Sequence, residues 1–267
     1  MDTTTPDPVL VMMPVVAGID NSPAAEVATR WAAGEAARMH AQLRLVHAIR
    51  PGTTSSDAGD VVYKAVHLAR SIAPGIAIDT KIESGAPSAS LIRASRTAQV
   101  VVIGSRGLGI RAGGMVGSTG LDLAANAHCP VVVVRPDPGH PTGTHVVIGY
   151  DGSPASDVAL TFGIEHARFH DLAVRVVAAQ PLGTELHSLT AAELTKAVHA
   201  RDGHDAELVQ ITGHPAEQLL RHSDDAALIV LGARGRGGFA GMLIGSVSQT
   251  VLHQAECPVA IIPATES

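Results

Sequence analysis

The 267-residue chain carries 19 Lys and Arg against 25 Asp and Glu, a net charge of −6, with aromatic residues at only 2%. That balance weighs against nucleic acid, because gripping a phosphate backbone needs clustered cations and single-strand binding adds stacking rings. No run reaches the roughly 18 apolar residues that span a bilayer, and Met1–Pro8 lacks the positive and apolar segments of an export signal, so a cytoplasmic protein without membrane insertion is expected.

Short apolar runs read as strands and the longer Ala-rich stretches between them as helices. A first strand lies within Val9–Ala17 and ends at Gly18-Ile-Asp20. Ser22 before Pro23 reads as an N-cap with proline at the first helical position, opening a helix to about His40. Leu43–Ile49 is the second strand, and Ile76–Glu83, which alternates with period two, is the third. A helix from Pro87 to about Thr97, a strand at Val100–Ile103, a helix from Ser118 to about Asn126 and a strand at Val131–Val134 complete the first half. Strands at Val146–Ile148, Val174–Ala178, Ala206–Ile211, Leu228–Leu231 and Val259–Ile262 follow in the second. Near-continuous Val/Ile/Leu strands alternating with helices predict an α/β fold with a parallel sheet covered on both faces.

The two halves repeat. Gly104-Ser-Arg-Gly107, nine residues, then Gly117-Ser118 returns as Gly232-Ala-Arg-Gly235, nine residues, then Gly245-Ser246. Val16-Ala-Gly-Ile-Asp20 answers to Val147-Ile-Gly-Tyr-Asp151, Gly85-Ala-Pro87 to Gly213-His-Pro215, and His128-Cys-Pro130 to Glu256-Cys-Pro258. Two domains follow, 1–138 and 143–267, each large enough to bury its own core and joined near the Pro/Gly-rich stretch Pro136-Asp-Pro-Gly-His-Pro141.

Each glycine string reads as a phosphate-binding loop, since glycine reaches positive φ, lets backbone approach a ligand, and leads into a helix start whose N–H groups attract anions. Neither loop contains lysine, so there is no Walker A site. Gly107-Leu-Gly109-Ile-Arg-Ala112 fits the short dinucleotide pattern, but follows the fourth strand rather than the first. In open parallel sheets ligands bind beyond the carboxyl ends of strands where strand order reverses. If the first and fourth strands are neighbours, Asp20 meets the first loop and Asp151 the second. For Asp20 and Asp151 the alternative is a turn or helix-capping carboxylate, for Arg106 and Arg234 a solvated loop arginine, and for the glycines a tight turn without ligand.

The spacing Gly-x2-Gly-x9-Gly-Ser after a parallel strand, with an Asp ending the first strand, resembles the universal stress protein family and its ATP-binding members, twice over nearly the whole chain. The resemblance implies two tandem Rossmann-like domains of five parallel strands each. It also implies ATP, with or without magnesium, and roles in stress survival and growth control. On that resemblance Asp20 and Asp151, with the neighbouring Gly18 and Gly149, hold the adenosine, and Val46 and Val177 touch the adenine. Gly104, Gly107, Gly117, Ser118 and Thr119 form the first phosphate site, and Gly232, Gly235, Gly245, Ser246, Val247 and Ser248 the second; apart from the resemblance, Arg106 and Arg234 inside each Gly-x-Arg-Gly could pair a guanidinium with phosphate oxygens. Gly120 stands where Ser248 offers a hydroxyl, which makes the first site the expected weaker one.

No nucleophile elbow and no repeated general base is present, so no enzyme beyond slow ATP hydrolysis is expected. His166 and His170 share one helix face at zinc-binding spacing, but their first-half counterparts are Glu35 and Met39 and no third ligand is evident. The pair reads as a solvated face with no metal. Cys129 and Cys257 read as buried small hydrophobes. The expected function is a nucleotide-dependent regulator acting through an unknown protein partner. The alternatives are an interaction module that has lost nucleotide, or a cyclic AMP binder. Val131–Val134 and Val259–Ile262 as sheet edges could pair between halves or chains, giving a pseudo-dimer or a homodimer through these strands.

Overall fold

The computed structural model describes residues 12–49, 55–107, 116–135, 143–180, 189–236 and 244–263. Among the described residues ten strands form one sheet in the order β3-β2-β1-β4-β5-β10-β9-β6-β7-β8. The first half supplies β1 (Val15–Ile19), β2 (Leu43–Ile49), β3 (Ile78–Ser84), β4 (Val100–Gly104) and β5 (Val131–Val134). The second supplies β6 (His145–Gly149), β7 (Ala173–Gln180), β8 (Glu207–Thr212), β9 (Ala226–Gly232) and β10 (Val259–Ile262). Each half is parallel within itself, and the seam between β5 and β10 is antiparallel, with Val133 opposite Val259 and Val131 opposite Ile261. The two five-stranded tandem domains are therefore related by an approximate two-fold axis through that seam.

This seam corrects the idea of a homodimer through the final strands. β5 lies between β4 and β10, and β10 between β5 and β9, so the backbone edges of both are already spent within the chain. The free edges are β3 and β8, at opposite ends of the sheet, where Asp79, Lys81, Glu83 and Glu207 discourage further pairing.

Helices α1 (Pro23–Arg38), α2 (Ser55–Ile72), α5 (Pro154–His170) and α6 (Ala191–His199) cover one face. Helices α3 (Pro87–Ser95), α4 (Ser118–Asn126), α7 (Pro215–Arg221) and α8 (Ser246–Gln254) cover the other. α2 and α6 are additions to the sequence reading. The remaining boundaries differ from expectation by a few residues; β3, for example, starts at Ile78 rather than Ile76. Ser22 caps α1 by accepting from the Ala25 amide at 3.2 Å, and Ser153 caps α5 by accepting from Ser156 at 3.2 Å, each followed by proline at the first helical position.

Alternate strand residues feed opposite faces. Val132, Val134, Ala260 and Ile262 join one apolar layer while Val131, Val133, Val259 and Ile261 join the other. Each layer runs unbroken from one half into the other, so the halves share two cores rather than each burying a separate one. Further links cross the seam: Arg135 donates to the Leu252 carbonyl at 2.5 Å, and the Val116 amide donates to His253 Nδ1 at 3.1 Å. The join at 136–142 lies outside the described residues, as do Met1–Pro8 and most of the nine-residue stretch inside each glycine string, 108–115 and 237–243.

Candidate functional site

β1 pairs with β4 and β6 with β9, which brings each acid to its glycine loop where strand order reverses. In the first half a cleft of about 600 Å³ opens at the carboxyl ends of β1, β2 and β4. Every first-half residue singled out in the sequence lines it: Gly18, Asp20, Val46, Gly104, Arg106, Gly107, Gly117, Ser118 and Thr119. Pro87 and Leu91 of α3 add an apolar wall beside Val46. Asp57, Asp60, Val61 and Lys64 of α2 form a rim that sequence reading missed together with that helix. Such a cleft, mostly apolar at one end and lined by amides and charges at the other, is of ligand-binding size.

Asp20 is held in place by its own turn. Its Oδ1 accepts from the Ser22 amide at 2.9 Å and from the Ser22 hydroxyl at 2.5 Å. His47, buried at the end of β2, bonds through Nδ1 to the Ile19 carbonyl at 2.9 Å and ties the two strand ends together. Ser105 Oγ, in the glycine loop, is the buried side-chain polar atom without a partner among the described residues. Its repeat counterpart, Ala233, has no hydroxyl to satisfy.

The glycines serve different ends. None of Gly18, Gly104, Gly107, Gly117, Gly149, Gly232, Gly235 or Gly245 has positive φ, which corrects one reason given for their presence. A Cβ on Gly104 would sit 2.5 Å from the Ala24 backbone, and one on Gly232 2.8 Å from Ala155 Cβ, so these two let the first turn of a helix lie against a strand end. A Cβ on Gly107 would press on Asp20 Oδ2 at 2.8 Å, and one on Gly235 would press on Asp151 Oδ2. Gly245 differs, because a Cβ there meets nothing nearer than the Ala233 carbonyl at 3.4 Å and Arg234 Cα at 3.6 Å, and so would occupy the notch between loop and helix. Positive φ belongs instead to Gly85 and Gly213 ahead of α3 and α7, at +126° and +154°, and to Gly152, at +74°.

Gly117 and Gly245 are the N-caps of α4 and α8, and neither helix start has a side-chain cap. The serine hydroxyls thus do not cap these helices, and the first-turn amides of Ser118 and Thr119 face the cleft end of α4. Ser248 is buried and donates to the Gly232 carbonyl at 2.7 Å. That hydroxyl is committed to the strand end, so the contrast with Gly120 gives no reason to rank the first site below the second. Val247 packs its side chain against the apolar layer and offers the loop only its backbone.

The second crevice is built on the same plan, with Arg236 and Leu189 set against its acid turn. Asp151 accepts from the Ser153 amide at 3.0 Å and from the Arg236 amide at 2.8 Å. Burial pulls its carboxyl upward, but these bonds outweigh that and hold it below the usual aspartate range. The Arg236 guanidinium donates to the Gly152 carbonyl at 3.3 Å. Leu189, held by Gln180 and Gln210 through its carbonyl, packs beside Gly152. In the first half the corresponding Asn21 lines the open cleft. Gly149 packs under Leu231 and Leu219, and Val177 lies in the apolar layer that also holds Val46.

Both cysteines are free; Cys129 is buried as expected but Cys257 is only half-buried, and loss of solvent around the sulfur pushes each thiol up to about 12. His166 is no solvated residue: it is only 7% exposed, and the group facing it is Glu35 of the first half. Comparison of the repeats set Glu35 and His166 side by side as equivalents, whereas the two-fold axis sets them face to face.

The family model for the universal stress protein family matches residues 12–135 and again 143–263. A universal stress protein of Mycobacterium tuberculosis is 32% identical over 282 aligned positions, covering 92% of this chain and 95% of that one. One from Mycolicibacterium smegmatis is 32% identical, covering 93% and 96%. The crystal structure of a universal stress protein from Archaeoglobus fulgidus superposes with a TM-score of 0.70 at 19% identity, over 94% of this chain and 98% of that one, and agrees in fold. With two family-model matches, one in each half of a single ten-stranded sheet, the chain belongs to the universal stress protein family.

Proposed function

We propose that the first-half cleft binds an adenine nucleotide, ATP foremost, and that occupancy regulates a partner surface in stress survival and growth control. The observation that carries this reading is the meeting of Asp20, Val46 and the uncapped start of α4 in one cleft of about 600 Å³. In this reading Asp20 accepts from ribose hydroxyls, while Val46, Pro87 and Leu91 give apolar surface against the base. The Gly107 loop, the α4 amides and the Arg106 guanidinium supply what a phosphate chain needs. Two units bounded at about 138 and 143 organise this arrangement.

Calorimetric titration of the untagged full chain with ATP tests the reading. Saturable binding that weakens in Asp20→Ala and Gly117→Ala, with Gly245→Glu affecting only binding in the second half, agrees with it. No heat at millimolar ATP with the protein folded removes it. Cyclic AMP as competitor separates the two ligands: displacement of ATP by cyclic AMP at lower concentration reverses their order. Extraction of small molecules from freshly purified protein gives an independent check.

A further inference from the structure

On the face of the sheet opposite α4, helices α1 and α5 meet over the seam and bring three ligand-type side chains into one buried cluster. Glu35 Oε2 lies 2.8 Å from His170 Nε2, and Glu35 Oε1 lies 3.4 Å from His166 Nδ1. One donor atom from each residue falls within 4.8 Å of the other two. The side chains of Glu35 and His166 are 8% and 6% exposed, and that of His170 16%, which leaves one side reachable from solvent. We infer that Glu35, His166 and His170 form a binding site for a divalent first-row transition ion, with zinc as the reference metal, that clamps the two halves together.

The donor set suits that chemistry. Imidazole nitrogen and carboxylate oxygen are the borderline-to-hard ligands zinc takes, at about 2.0–2.2 Å, and two histidines with one carboxylate leave a fourth position for water. Tetrahedral angles at those bond lengths separate ligand atoms by roughly 3.3 Å. His166 Nδ1 faces Glu35 Oε1 and His170 Nε2 faces Oε2, so the carboxylate already spans both imidazoles, and an ion bound through one or both oxygens needs only side-chain shifts to replace the Glu35–His170 hydrogen bond. The imidazoles lie with ring centres 4.1 Å apart on successive turns of α5, and the backbone of one helix fixes both. Around them Trp31 and Phe162 lie almost parallel to the His166 ring, each with its centre 6.0 Å away, partly buried aromatic flanks that restrain the ring.

Trp31 is the chain's single tryptophan, so the site carries its own reporter. The test uses untagged, chelator-treated full-length protein, titrated with zinc chloride and separately with cobalt chloride. Wild type is expected to take up one tightly held zinc per chain, show the visible absorption of four-coordinate Co(II), quench Trp31 with cobalt, and melt at higher temperature with zinc. Glu35→Gln and His170→Ala should each weaken uptake by roughly 100-fold, at least the loss seen when outer-shell partners of a metal are removed. His170, at the solvent side, keeps the test valid if Glu35→Gln unfolds. Zinc retained equally by His170→Ala places the metal on other histidines and overturns the inference. Absence of any tight zinc or cobalt binding to folded wild type overturns it also, leaving an ion pair only.

Discussion

Replacing single glycines by alanine separates packing from ligand access along one motif. In Gly104→Ala the new methyl would land 2.5 Å from the Ala24 carbonyl carbon and 2.6 Å from its Cβ, in the first turn of α1, where backbone cannot swing aside. Gly232→Ala meets the equivalent Ala155 at 2.8 Å from Cβ and 3.0 Å from the carbonyl carbon, a milder overlap. Overpacking of this kind costs about 1–3 kcal/mol, which for a chain of this size lowers the melting midpoint by roughly 2–12 °C at about 2–4 °C per kcal/mol. Gly104→Ala should fall toward the upper end and Gly232→Ala toward the lower. Gly245→Ala finds no atom nearer than 3.4 Å and a backbone at φ −71° and ψ 150° that alanine adopts freely. The small N-cap loss is offset by the lower entropy of the unfolded alanine chain, so its stability should stay within about 0.5 kcal/mol of wild type. Calorimetric melting of the three variants without nucleotide supplies the measurement. An inverted order, with Gly245→Ala the most damaged, would refute the steric argument.

Three other outcomes follow from the same structure. His253→Ala removes the acceptor for the half-buried Val116 amide at the foot of the first loop, and denaturant titration should show a loss of about 1 kcal/mol; an unchanged midpoint contradicts the contact. With both thiols pushed up to about 12, roughly one in ten thousand is ionised at about pH 8, so iodoacetamide should label Cys129 and Cys257 only on unfolding. Mass spectra showing rapid labelling of native protein would count against that. Because both apolar layers continue across the seam, Trp31 fluorescence and circular dichroism should report one coincident unfolding transition, and two separated midpoints would mean that the halves unfold independently.

The strands were legible because Val, Ile and Leu runs bounded by Gly, Asp and Pro admit little else in a sheet buried on both faces. The first-half site was legible for a related reason: the glycine spacing and Asp20 sit at strand ends, and parallel topology alone carries strand ends to one edge. α2 was missed because Ser55–Ile72 mixes small, polar and apolar residues without a long apolar run, and the acids and lysine on the cleft rim were missed with it. α6 had a readable signal in Thr190 and Glu193, which form a reciprocal capping box. The approach of Leu189 and Arg236 to the Asp151 turn was not readable, since it depends on where those segments settle in space. Glu35 was overlooked for the opposite reason: alignment of the repeats asked what replaces His166, while geometry asks what touches it.

The antiparallel pairing of β5 with β10 has one more consequence. Where two identical polypeptides meet across a symmetry axis, a position beside that axis must confront its own copy, so an acid faces an acid and a base a base. Joining both partners in one translation product removes that constraint, because each side can then mutate alone. Position 35 and its twin at 166 have used that freedom, and an acid now confronts an imidazole where self-assembly would permit only like against like.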